Sequence, residues 1–65
     1  MEILLWNIRT QKGYTLKQLE KLSGVSKSTI DNIENGITSP TLFQLELLAK
    51  ALDVKITDLF DSKYK

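Results

Sequence analysis

Apolar residues recur at intervals of three and four along most of the chain, interrupted by Gly13, Gly24, Gly36 and the Ser39-Pro40 pair. That spacing puts apolar side chains on one face of a helix, and Gly and Pro mark where helices stop. The first predicted helix runs from about Glu2 to Lys12, with Leu5 and Ile8 inward and Gly13 as the left-handed residue after its last turn. The second opens at Thr15-Leu16-Lys17-Gln18, a capping box in which the Thr hydroxyl takes a free amide and Gln reaches back. Leu19 and Leu22 form its buried stripe. After Gly24-Val25, Ser26 is placed to cap a third helix that reaches about Asn35 and buries Ile30 and Ile33. Thr41-Leu42-Phe43-Gln44 repeats the capping box, and Leu42, Leu45, Leu48, Ala49 and Leu52 line one side of a fourth. A short last element runs from about Thr57 to Asp61 and carries Leu59 and Phe60. No run of alternating β-branched residues is present, so the expected fold is all-α: a compact bundle of five short helices in one domain spanning residues 1–65.

Size and inventory narrow the chemistry. A 65-residue chain has room for one domain, and 42% hydrophobic with 26% charged residues is the balance of a globular protein rather than of a disordered segment or a membrane span. With no His and no Cys, the inventory excludes a disulfide scaffold, a thiolate or imidazole metal site and a Ser/His or Cys/His catalytic pair. The reading is therefore no enzyme, no metal and no cofactor. Asp31 and Glu34 lie one helical turn apart, but that spacing without a base or a metal set describes a solvated face. The segment Met1 to Arg9 has no basic leader and no small-residue cleavage site, so it is read as part of the fold of a cytoplasmic protein, not as a signal peptide.

The formal net charge of +1 conceals a division. Between Arg9 and Lys27 five basic residues face one acid, Glu20, whereas between Ser28 and Ser62 two basic residues face six acids. Positive charge gathered in one third of a nearly neutral chain can still present a face that attracts phosphate.

The basic third contains the most specific local signal. Leu16 to Ile33 reads as a helix, a three-residue turn around Gly24 and a second helix, which is helix-turn-helix geometry. Gly24 permits a positive backbone angle, Val25 plugs the corner, and Ile30 and Ile33 hold the second helix against Leu19. Helices joined this way cross at about 90–120°, leaving the second free to enter a major groove about 12 Å wide. The order and spacing of Thr15-Leu16-Lys17-Gln18-Leu19, Ser23-Gly24-Val25-Ser26-Lys27-Ser28-Thr29-Ile30, Ile33-Glu34-Asn35-Gly36 and Ser39-Pro40-Thr41-Leu42 resemble the phage Cro and lambda-repressor (Xre-type) DNA-binding domains. The resemblance extends from Arg9 to Phe60.

The resemblance implies a bacterial or phage-encoded transcriptional regulator, with double-stranded operator DNA as partner and a homodimer as the binding form. The third helix becomes the recognition helix. On it Lys27, Ser28, Asp31, Asn32 and Asn35 share the face opposite Ile30 and Ile33. Lys27, Ser28, Asp31 and Asn32 are the candidates for base edges: Lys donates to guanine, Ser reads either base type, Asn pairs with adenine and Asp accepts from the cytosine amine. Lys12, Thr15, Lys17, Ser26, Asn35 and Thr38 are the candidates for the phosphate backbone, assisted by the amides at the N-termini of the second and third helices. Arg9 and Glu34 occupy the positions of a structural ion pair joining the first helix to the end of the recognition helix.

Two positions depart from the family pattern. Leu16 stands where Gln commonly contacts a phosphate, and Glu20 stands where a small Ala is common, so Glu20 is expected to snorkel out of the crossing or to open the angle between the helices. Ile3, Leu4, Trp6, Phe43 and Leu47 are apolar where relatives are often polar, and a domain this small cannot bury them all. Trp6 and Phe43, with Leu59 and Phe60, are the candidate interface for a second copy. The same surface supports an alternative reading, a protein-interaction module of the antitoxin or antirepressor kind on the same scaffold.

Overall fold

The chain enters the fold as a strand, not as a helix. In the computed structural model, which describes residues 1–65, β1 (Glu2–Ile3) pairs antiparallel with β2 (Phe60–Asp61), Glu2 opposite Asp61 and Ile3 opposite Phe60. Leu4 extends the clasp by donating its amide to the Leu59 carbonyl at 2.8 Å. Ile3 and Phe60 turn their side chains onto the core while Glu2 and Asp61 face water, the alternation that a strand imposes. The first helix, α1 (Leu5–Gln11), therefore starts three residues later than the sequence pattern suggests, and no side chain caps it.

Both capping boxes form. Thr15 Oγ1 accepts from the Gln18 amide at 3.1 Å, Gln18 Oε1 accepts from the Thr15 amide at 2.9 Å, and α2 (Leu16–Ser23) follows. Thr41 and Gln44 repeat the arrangement at 3.0 Å in each direction to start α4 (Leu42–Leu52). Between them Ser26 caps α3 (Lys27–Glu34) by accepting from the Thr29 amide at 3.2 Å. Gly24 closes α2 in the left-handed region with φ of 77°, and its amide returns to the Glu20 carbonyl. A Cβ at Gly24 would meet nothing within 4 Å, so the requirement for glycine lies in the backbone angle rather than in space. Asp53 ends α4 in the same region with φ of 57°, a place where Asp is tolerated.

After α4 the chain makes a single 3-10 turn (Ile56–Leu59) and runs directly into β2. The five-helix expectation is thus corrected to four α-helices, a 3-10 turn and a two-stranded ribbon. The short last element exists, but its last two residues are extended because Phe60 and Asp61 pair with the N-terminal strand.

Ten apolar residues form the core: Leu5, Leu19, Val25, Ile30, Ile33, Leu45, Leu48, Ala49, Leu52 and Leu59. Two leucines assigned to buried stripes lie outside it. Leu22 is 54% exposed because the inner face of α2 runs through Leu16, Leu19 and Ser23, and Leu22 sits about a quarter-turn away. Leu42 is 77% exposed because it is the first residue of α4, ahead of the turn that reaches the core. Leu59 is fully buried.

Candidate nucleic-acid interface

The turn between α2 and α3 is held by four local hydrogen bonds. The Gly24 amide donates to the Glu20 carbonyl at 2.9 Å and the Val25 amide to Ser23 Oγ at 3.1 Å. The Lys27 amide donates to Glu20 Oε2 at 2.7 Å, and the Thr29 amide to Ser26 Oγ. Val25 is buried in the corner, as its position in the sequence implies. Ile30 and Ile33, essentially inaccessible, fasten α3 to the core and leave its opposite face outward.

On that outward face Lys27, Ser28, Asp31 and Asn35 are exposed, and Asn32 is half-buried at its edge. Asn35 Nδ2 donates to the Asp31 carbonyl at 2.9 Å and to Asp31 Oδ1 at 3.1 Å. The carboxylate is therefore oriented before any partner arrives, with its second oxygen left as an acceptor. Asn32 also serves the following loop, its carbonyl accepting from the Ile37 amide at 2.9 Å and the Thr38 amide at 3.4 Å. The five residues that the sequence places together are together.

The candidate backbone contacts are Lys12, Thr15, Lys17, Ser26, Asn35 and Thr38, all exposed. The chain contains one ion pair, Arg9 with Glu34, so the ammonium groups of Lys12, Lys17, Lys21 and Lys27 are free of protein carboxylates. The Ser26 hydroxyl is already occupied, accepting from the Thr29 amide and donating to Thr29 Oγ1 at 2.7 Å. The two helix N-termini also differ from each other. The Leu16 and Lys17 amides of α2 have no acceptor within the chain and point their dipole end to solvent. The first amide of α3 is taken by Glu20. Of the first two amides of each helix, both are open at α2, whereas at α3 only that of Ser28 is.

Glu20 neither snorkels away from the crossing nor stands idle. Half-buried, it bends across the turn to the start of α3. Composition and periodicity carry no sign of this contact, and only the seven-residue distance from Glu20 to Lys27, across a glycine turn, hints at it.

Arg9 and Glu34 form the expected pair, and it is bidentate. Arg9 Nε and Nη2 donate to the two carboxylate oxygens of Glu34 at 2.6 and 2.9 Å, with the side chains 11% and 4% exposed. Nη1 donates to the Tyr14 carbonyl at 2.8 Å, a third partner not anticipated from the sequence. The hydrogen bonding that Arg9 donates to Glu34 is the main reason the Arg9 pKa lies above its ordinary value, against the opposing effect of burial. One guanidinium so joins α1, the loop before α2 and the end of α3.

A family model described as helix-turn-helix matches residues 7–59. The chain belongs to this family of Cro and lambda-repressor type DNA-binding domains. The helix-turn-helix domain is 43% identical over 56 residues to the transcriptional regulator SlrR of Bacillus subtilis, a match covering 85% of this chain and 37% of SlrR. It is 38% identical over 58 residues to SinR of the same organism, covering 88% of this chain and 52% of SinR. The chain thus spans about half or less of the length of these regulators. Among solved structures, the restriction-modification controller protein C.AhdI from Aeromonas hydrophila superposes with a TM-score of 0.82 at 36% identity, covering 86% of this chain and 85% of that one. The N-terminal DNA binding domain of SinR superposes at 0.81 with 34% identity, covering 94% and 90%. The helix-turn-helix reading of Leu16 to Ile33 is confirmed.

Proposed function

We propose that this domain is the DNA-reading part of a sequence-specific transcriptional regulator, a repressor, that inserts α3 into the major groove of an inverted-repeat operator as a homodimer. The observation that carries the proposal is the face of α3: Lys27, Ser28, Asp31 and Asn35 project from a helix whose other side is locked into the core. Lys27 and Ser28 lead at its N-terminal end, where Lys donates to guanine and Ser suits either base type. Asp31, held by Asn35, accepts from a cytosine amine, and Asn32 pairs with adenine. Lys12, Lys17, Thr15, Thr38 and the free amides of α2 engage the backbone, with Asn35 at the far end of the helix and Ser26 limited to accepting. The likeness to the DNA binding domain of SinR and to the restriction-modification controller protein C.AhdI supports the same reading.

The second copy docks through Phe43. Phe43 is 67% exposed and precedes Leu47 by one turn of α4, and Leu47, Leu22 and Ala51 line an open cleft of about 370 Å³ between α2 and α4. Leu59 drops out of the candidate interface because it is wholly inside the core, and Phe60 is half-covered by its strand. Trp6, 55% exposed, lies on α1, which packs on α3 and the 3-10 turn, whereas α4 packs on α2 and the 3-10 turn. The exposed cleft also favours the second reading, a protein-interaction module.

Selection from a random-sequence DNA pool at two salt concentrations, with wild type, Lys27→Ala and Asn32→Ala, separates the two. Wild type is expected to enrich a short inverted repeat whose half-sites lie about 34 Å apart, with affinity falling steeply as salt rises. Each variant is expected to lose about 1–3 kcal/mol on that sequence. No enrichment, with weak binding that salt abolishes, would move the function to a protein partner at the Phe43 surface.

A further inference from the structure

One residue holds both ends of the turn on which DNA reading depends. The Glu20 carbonyl closes α2 by accepting from Gly24, and the Glu20 carboxylate opens α3 by accepting from Lys27. The first bond is ordinary helix. The second is a charge-assisted bond to the first amide of another helix, aligned with the positive end of its dipole. Ser26 already satisfies the Thr29 amide, so α3 begins with two of its orphan donors met from different origins. A cap from within α3 steadies that helix without setting its direction. A bond from α2 fixes α3 relative to α2, and so fixes where Lys27 and Ser28 stand relative to the free amides of Leu16 and Lys17.

Glu20 also has no cation within ion-pairing distance, since Arg9 with Glu34 is the only pair in the chain. Within the chain its charge is answered by the end of α3, and it lies in the most basic third of the sequence, where it repels an approaching polyanion.

We propose that Glu20 is a positioning residue for sequence reading: its carboxylate ties the recognition helix to α2 at a set angle, while its charge lowers affinity for DNA of any sequence. The inference rests on the DNA-reading function proposed above. The two effects separate chemically, because Gln keeps an acceptor oxygen and loses the charge, whereas Ala loses both.

The test compares the 65-residue wild type with Glu20→Gln and Glu20→Ala. Without DNA, amide hydrogen exchange followed by NMR reads the tie directly. The Lys27 amide is expected to be protected in wild type and in Glu20→Gln and to exchange at least about tenfold faster in Glu20→Ala, with Thr29, held by Ser26, unchanged. With DNA, the readout is the ratio of affinity for the duplex enriched by wild type to affinity for a scrambled duplex of equal length. Glu20→Ala is expected to lower that ratio about fivefold, because Lys27 and Ser28 lose their set position relative to α2 and with it part of the discrimination that one base contact supplies. Glu20→Gln is expected to keep the ratio and to bind both duplexes more tightly.

A Glu20→Ala protein with the wild-type ratio would reduce Glu20 to a helix cap and overturn the proposal. So would a Glu20→Gln protein that shares the ratio of Glu20→Ala, since charge rather than the tie would then set selectivity. A Lys27 amide that exchanges equally fast in all three proteins would show that the tie is absent in solution. If wild type itself fails to discriminate between the duplexes, the DNA reading falls and this role falls with it. That failure is recognisable because the exchange pattern at Lys27 stays intact.

Discussion

Arg9→Ala is expected to destabilise the fold by about 3–5 kcal/mol, because it strands the Glu34 carboxylate in a site where its side chain is 4% exposed. A chain of this size has a total stability of about 3–10 kcal/mol, so the variant is expected to lose a large part of it. Three elements lose their common anchor at once: α1, the Tyr14 carbonyl and the last turn of α3. The double variant Arg9→Met with Glu34→Leu removes both charges together and is expected to regain most of the loss, since a buried ion pair replaced by apolar side chains is often neutral or better. Urea denaturation of wild type, single and double variants checks this. A double variant as weak as Arg9→Ala would place the cost in lost shape and not in an unpaired charge. The Arg9 pKa is raised in the fold, so its contribution is complete below the value of the unfolded chain and is lost only as pH climbs past the raised one. Stability changes near neutral pH therefore do not come from Arg9. DNA binding by Arg9→Ala is expected to fail only to the extent that the protein unfolds, and a folded variant that cannot bind would reassign Arg9 to the interface.

What the sequence made legible is what short-range chemistry decides. Thr15 with Gln18 and Thr41 with Gln44 are self-contained devices, each needing only four consecutive residues, and both appear where their spacing puts them. Gly24 and Val25 likewise announce the corner between α2 and α3, and the polar face of α3 follows from helical geometry once Ile30 and Ile33 are inward. Contacts between distant segments were not legible. A two-residue strand at each end of the chain has no periodicity to detect, and β1 and β2 exist because Glu2 and Ile3 find Asp61 and Phe60. For the same reason the sequence places Leu59 in a candidate interface, whereas the turn that leads into β2 drives it into the core. Glu20 is an intermediate case. Its departure from the small residue common at that position is visible in the sequence, but the bond to the Lys27 amide depends on where α3 begins in space.

The clearest measure of that difference lies in two leucines of one helix, three residues apart. Leu19 is fully buried and Leu22 is 54% exposed, although both belong to one apolar spacing on α2. Leu19→Ala is expected to cost about 2–5 kcal/mol, through lost transfer free energy and the cavity left among Ile30, Ile33 and their neighbours in the core. Leu22→Ala is expected to change stability by no more than about 0.5 kcal/mol in the monomer, because it removes atoms that already touch water. Thermal or urea unfolding of the two variants at low protein concentration provides the comparison. Leu22 also borders the cleft with Leu47 and Ala51. If a second copy docks there, the loss from Leu22→Ala grows with protein concentration, since a dimer adds stability by mass action. A large loss that is independent of concentration would instead return Leu22 to the core, and the inner face of α2 would then run through Leu19 and Leu22 as the sequence spacing alone implies.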